Sequence, residues 1–214
     1  MPAVRAPVPT KRRLASEARR QAILDAALDV FASDGFAAAR LDDIAARAGV
    51  AKGTVYLFFK DKQDLFEQVV RGAIEPVFAD MAAMVEAADA PFDALLAKMF
   101  ELFQREIFAT KKREIPRLIL AEGRRFPGIA EFYHREMISP GLELMRRMAR
   151  NAHARGEIDS DALVRYPQLL FGPLLLSLIW KSMFEPFETL DVSGLLAAHR
   201  EVLAASAAQR KPTP

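Results

Sequence analysis

The chain of 214 residues has no cysteine, which excludes disulfides and thiolate metal sites. It fits a reducing compartment. Long apolar runs are missing as well. The most apolar stretch, "LLFGPLLLSLIW" at 169–180, lies between Gln168 and Lys181 and is too short to span a bilayer. It suits a buried helix. The amino-terminal end has prolines and arginines but no apolar segment of a secretory signal, so a cytoplasmic location is expected. No Walker loop, dinucleotide glycine pattern or nucleophile motif occurs, so no cofactor is expected. Excess charge is small, +2 overall, and the whole molecule is not a polycation.

That charge is unevenly spread. Residues 1–65 carry eleven Lys/Arg against eight Asp/Glu, and residues 66–214 carry nineteen against twenty. The first twenty residues hold Arg5, Lys11, Arg12, Arg13, Arg19 and Arg20 against Glu17 alone. A basic end on a neutral body points to a local polyanion contact, or to a solvated tail.

What is present is helical period throughout, with no convincing strand. Ile23, Ala26, Ala27, Val30 and Phe31 predict an amphipathic helix over about 17–34, ended by Asp34-Gly35. Leu41, Ile44, Ala45 and Ala48 face one side of a second helix with Asp42 and Asp43 in its first turn, and Gly49 stops it. Val55 and Phe59 give a third short helix its buried side. Asp61 with Asp64 predicts a capped start for a long helix to about 87, with a kink expected at Pro76. Further helices are expected over 92–109, 114–123, 128–155 with a bend at Pro140, 159–184 with interruptions, and 192–208 capped by Asp191. The chain reads as all-α: a basic arm at 1–16, a three-helix head at 17–77 and a larger helical body at 78–210.

"DDIAARAGVAKGTVYLFFKDK" at 42–62 holds the chemistry. Two short helices joined at Gly49 make a helix-turn-helix. Val50, Val55 and Phe59 hold its second helix to the head, while Lys52, Thr54 and Tyr56 occupy the other face. Ala51 and Gly53 are small enough for the helix start to approach DNA closely. Lys52 can reach a phosphate or a guanine edge, and Thr54 and Tyr56 can donate to phosphates. Leu57 and Phe58 leave the core stripe and can meet thymine methyls. Lys60 and Lys62 add charge near the DNA backbone, beside the positive end of the next helix.

From Glu17 to about Val77 the chain resembles the DNA-binding domain of the TetR family of bacterial transcriptional regulators. The similar residues are "RRQAILDAALDVFASDGF" and "LDDIAARAGVAKGTVYLFFKDKQDLF". The resemblance implies a homodimeric repressor with an effector pocket and a dimer interface in the carboxy-terminal helices. It places Lys52, Thr54, Tyr56, Lys60 and Lys62 at DNA, with Leu57 and Phe58 facing the groove. Two positions depart from the family pattern. Arg40 replaces a usual Ser or Thr cap of the second helix, which gains a phosphate-seeking cation and loses a side-chain cap. Ala51 replaces a usual Ser or Thr at the start of the third.

The body says less. A pocket between helices would use Phe103, Phe126, Tyr133 or Trp180, with Glu122 either selecting a cation or pairing with Arg117, Arg124 or Arg125. Glu131 and His134 form an i, i+3 pair, but a bundle metal site needs a second copy and none exists. Leu170, Leu174 and Leu178 line one side of a helix, and Leu195, Leu196, His199 and Leu203 repeat on the next. These either pack against a second subunit about a two-fold axis or form an intramolecular core. The function expected is a dimeric, effector-responsive regulator binding a double-stranded palindromic operator. The alternative is an all-α enzyme whose amino-terminal bundle looks like a helix-turn-helix.

Overall fold

Backbone hydrogen bonds close locally almost everywhere in this chain, and the computed structural model, which describes residues 11–86 and 90–208, contains no strand among them. Arg5 and most of the basic arm lie outside the described residues. Contacts divide the chain into a unit ending at Val69, here the head, and a unit starting at Val70, the body. The head boundary expected at 77 lies eight residues beyond that division.

The head begins with α1 (Lys11–Ala38), which starts earlier than its apolar stripe and changes direction at Gly35. There φ is 78°, a left-handed value open to glycine at no steric cost. Helix α2 (Leu41–Arg47) ends at Gly49, φ 67°. The Val50 N–H returns to the Ala45 carbonyl at 3.0 Å and the Gly49 N–H to Ala46 at 3.2 Å, so the end is a Schellman turn. Helix α3 (Lys52–Phe58) follows at once. Ile23, Ala27, Phe31, Ile44, Val55, Phe59, Leu65 and Phe66 are fully or almost fully buried and form the head core. Phe31, Phe36 and Phe66 meet at 5.4–5.7 Å between ring centroids, two of the pairs edge-on.

Helix α4 (Lys62–Glu86) opens with a reciprocal cap. The Asp64 N–H donates to Asp61 Oδ1 at 2.9 Å, and Asp64 Oδ2 accepts from the Lys60 N–H at 2.8 Å. The helix runs on through Pro76. Lys62, expected near the DNA backbone, is held within the head in the free chain. Its ammonium donates to the carbonyls of Phe36, Ala37 and Ala39 at 2.8, 3.0 and 3.0 Å and lies 4.9 Å from the centre of the Phe36 ring. The end of α1 leaves carbonyls without intrahelical donors, and three ammonium protons satisfy three of them. Proximity to a helix start in sequence gave no hint of this.

The body adds α5 (Phe92–Phe103), a single 3₁₀ turn (Lys111–Arg113), α6 (Glu114–Glu122), α7 (Pro127–Tyr133), α8 (Ser139–Ala154), α9 (Ala162–Arg165), α10 (Gln168–Met183) and α11 (Val192–Ala208). Two π-helical turns, Gln104–Phe108 and His134–Ile138, continue α5 and bridge α7 to α8. The second stands just before Pro140, which has no N–H to give the preceding turn, so the bend expected there is taken up by a wider turn. The expected 159–184 helix is two, with Asp161 and Pro167 at the N-cap positions of α9 and α10 but making no side-chain cap bond. Asp191 caps α11 as expected, accepting from the Gly194 N–H at 3.0 Å.

The main body core joins Phe92, Leu96, Phe100, Met148, Leu170, Leu174 and Leu196. Leu170, Leu174, Leu178 and Leu196 are therefore buried within their own chain, the intramolecular alternative. Leu195, His199 and Leu203 are half-buried, and Leu203 packs on the same core. His199 has one ring nitrogen buried without a partner among the described residues. Burial holds its pKa below the usual 6.5, against a weaker upward pull from the Leu169 backbone.

Two outcomes follow from this packing. Lys62→Met should cost about 1.5–3 kcal/mol by denaturant melting, the range for hydrogen bonds to a charged group, while Lys60→Met leaves stability unchanged. Equal melts for the two variants would remove the capping role. For His199, the unfolded imidazole takes up a proton near pH 6.5 while the folded one resists it. Stability should therefore fall as pH drops from about 6.5 through the lower folded pKa, and His199→Gln should flatten that slope.

Candidate nucleic-acid interface and cavity

Helix α3 has seven residues and buries one of them, Val55; Phe59, just past its end, is the second anchor. Every other side chain must find solvent or a partner. Lys52 and Gly53 are exposed, Tyr56 is 52% exposed and Leu57 82%, whereas Thr54 and Phe58 are half-buried. The Phe58 ring centre lies 6.2 Å from that of its neighbour Phe59, the two rings tilted at 46°. An 82% exposed leucine beside a half-exposed tyrosine has no packing role in the free head. It is suited to a surface that another molecule covers.

Charge around this face is partly held within the head. Lys52 Nζ lies 2.8 Å from Asp42 Oδ1 and donates to Oδ2 at 3.1 Å. That hydrogen bond, with the attraction behind it, raises the Lys52 pKa. Arg40 occupies the cap position of α2 in extended conformation, exposed and without a side-chain cap bond. It lies close enough to Lys52 to oppose the latter's protonation. Lys60 is exposed. Lys62 is committed to α1, as described above. Arg40, Lys52 and Lys60 thus remain as the outward cations of this face.

Sequence reasoning missed the groups that steady the helices. Arg47 bridges α2 to Asp29 of α1 at 2.8 Å. Arg20, counted above among the basic groups of the first twenty residues, donates to Gln68 at 2.8 Å and stands 5.6 Å from the centre of the Phe59 ring. Arg47 to Asp29 spans eighteen residues and Arg20 to Gln68 forty-eight, which no helical periodicity reports.

The body holds a cavity of about 300 Å³. Its walls come from α4 (Ile74, Val77, Phe78, Met81), α5, α6, α7 (Ala130, Tyr133), α8 and α10, from the 3₁₀ turn through Lys112, and from both π-helical turns through Ile107 and Met137. Gly141 makes one approach possible, since a Cβ there would stand 3.2 Å from the Phe78 ring. Phe103 and Tyr133 line the cavity; Glu122, Phe126 and Trp180 do not. The Trp180 indole instead donates to the Glu188 carbonyl at 2.8 Å and packs edge-on against Phe184. The methionine and aliphatic walls escaped the sequence reading, which singled out aromatics. At helical spacing such residues look the same whether they line a space or fill it.

Among the described residues three wall side chains are polar: Lys112, Tyr133 and His134. Burial pushes the Tyr133 phenol up to about 12, so it stays protonated and can donate at any physiological pH. Lys112 Nζ lies 3.6 Å from Glu106 Oε2, a carboxylate that Arg105 also holds at 2.8 Å. No three His, Asp or Glu side chains converge as a metal site among the described residues. None of these helices is long and apolar enough to cross a membrane.

Comparison with known proteins agrees with this division. The family described as bacterial regulatory proteins, tetR family, matches residues 23–69, and the tetracyclin repressor-like C-terminal domain matches 92–183. The transcriptional repressor BepR of Brucella suis is 33% identical over 158 residues, 70% of this chain and 74% of its own. A TetR-family regulator from Mesorhizobium loti superposes with a TM-score of 0.72 at 23% identity, covering 92% of this chain and 98% of that one. The regulator FadR of Bacillus subtilis, solved with stearoyl-CoA, gives 0.69 at 22%, over 87% and 98%. With matching domains at both ends and a relative of this identity and coverage, the chain belongs to the TetR family of DNA-binding transcriptional regulators.

Proposed function

We propose that this regulator is a homodimeric repressor that leaves a palindromic operator when a small, largely apolar molecule fills the body cavity. The observation that carries the reading is the unburied face of α3, Lys52–Tyr56–Leu57, held outward by the two anchors Val55 and Phe59. That face meets the major groove, with Arg40 and Lys60 toward the phosphates. Thr54, Phe58 and Gly53 sit at its margin, where small or half-buried groups permit close approach. Repression is supported by the relative from Brucella suis, a repressor by name. An apolar effector is supported by the walls of the cavity, and by a structural neighbour solved with a long-chain acyl-CoA.

Helix α4 gives the switch a physical route. Its first turns supply Leu65 and Phe66 to the head core, and its later turns supply Ile74, Val77, Phe78 and Met81 to the cavity wall. A ligand that binds one arrangement of the walls better than another biases this helix, and by linkage DNA binding changes by the same factor, typically about 1–3 kcal/mol.

The dimer face is drawn from the apolar side chains of the last helices that the chain's own core leaves exposed. These are Leu169, Leu176 and Met183 of α10, Phe184 and Phe187 after it, and Val202 of α11. Leucines buried beneath them shape the face from below. Two-fold pairing would present two heads to one side of DNA, at a half-site spacing of about 34 Å or a multiple.

DNA enriched from a random pool by the purified protein supplies the operator for the test. Lys60→Ala should weaken operator and random DNA alike and flatten the log affinity against log salt slope by about one unit per subunit. Lys52→Ala should lose more on operator than on random DNA. Asp42→Asn frees Lys52 and removes an acid from the face, so binding at low salt should tighten roughly 2- to 5-fold. Unchanged affinity in all three variants would contradict a DNA-facing α3. Light scattering should give a dimer, and Leu176→Glu with Val202→Glu should yield monomers that bind operator weakly.

A further inference from the structure

A polar group without a partner inside an apolar cavity marks the place where a ligand's own polar group belongs. Tyr133 lines the cavity, and its hydroxyl makes no hydrogen bond among the described residues. Apart from Lys112 and His134 the other walls, Phe103, Met137 and Leu174 among them, are aliphatic or aromatic. Tyr133 is half-buried and its hydroxyl has no protein acceptor among the described residues, so an acceptor on the ligand would supply one.

The other two polar walls offer less. His134 belongs to the π-helical turn and is exposed. Lys112 already faces the Glu106 carboxylate, which Arg105 holds from an exposed position. Those cations keep Glu106 ionised, with a lowered pKa due first to Arg105. A ligand carboxylate reaching for Lys112 would meet the Glu106 carboxylate at the same spot. An anion placed elsewhere among these walls would be desolvated without a counter-charge, which is far costlier than desolvating a ketone or ester.

We infer that the cavity selects a neutral, mostly hydrocarbon molecule bearing one hydrogen-bond acceptor, such as a ketone or ester carbonyl, and that Tyr133 is the residue that recognises it. This rests on the cavity being the effector site, and it adds what the effector is. The protonated phenol donates to the carbonyl oxygen, and the remaining walls take the hydrocarbon by contact alone. Free fatty acids and other anionic amphiphiles of equal chain length are discriminated against.

The test uses the full-length protein without DNA and the fluorescence of N-phenyl-1-naphthylamine as the cavity probe. At about pH 8, where the acid is ionised, 2-decanone should displace the probe at a concentration at least about tenfold below that of decanoate. Tyr133→Phe should keep probe affinity and thermal stability but weaken 2-decanone roughly 2- to 10-fold, the worth of one hydrogen bond. Decanoate should be insensitive to that change. Decanoate binding as tightly as the ketone, with Lys112→Met abolishing it, would overturn the proposal. So would an unchanged ketone affinity in Tyr133→Phe, or a probe that never enters the wild-type protein. Operator binding is measured separately. Ketone that binds through Tyr133 yet leaves operator affinity unchanged supports this assignment and refutes the switch; decanoate that releases operator while outcompeting the ketone does the reverse.

Discussion

Three phenylalanine rings fix the head. Phe31 and Phe36 come from α1, on either side of the Gly35 bend, and Phe66 from the second turn of α4. Their contact requires the chain to reverse at Gly35, which places the end of α1 where the Lys62 ammonium can satisfy its carbonyls. With α1 and α4 so joined, Val55 and Phe59 find a fully buried site and α3 has a single way to lie. Its remaining face is outward because nothing is left in the head to cover it. Leu57 is thereby left exposed, with no packing role in the free head.

Charge on that surface is held in readiness. Lys52 is paired with Asp42 in free protein, so the proposed contact with DNA would exchange one partner for another. Such an exchange would gain less than the approach of an unpaired cation, and it would confer selectivity, because Asp42 would repel phosphates approaching in the wrong register. Lys62 takes no part in this exchange. Its three carbonyl bonds hold it within the head at a position where charge and family resemblance both pointed to a contact.

Much of this was legible in the residues. Helical period gave the elements of the head, Gly49 its turn and Asp61-Asp64 the cap of α4, since each is a local interaction within a few residues. The inward and outward sides of α3 followed from four-residue spacing. The body was less legible for a physical reason. Helix α10 is apolar on all sides, so its pattern does not tell Leu174, in the core, from Leu176, on the surface. The π-helical turns that let Ile107 and Met137 line the cavity arise from backbone accommodation that residue identity does not encode, Pro140 excepted. Tyr133 was named as an aromatic; that its hydroxyl would stand alone depended on all its neighbours.

The central claim is that the outward face of α3 is the surface that touches DNA. A photo-crosslinking residue, p-benzoylphenylalanine, placed at position 57 tests it directly, with the same residue at Val202, 67% exposed in the body, as the comparison. On irradiation with operator duplex, the account requires a covalent adduct from position 57 and none from position 202, with the first lost at high salt. Adducts of equal yield from both positions, or from 202 alone, would contradict it.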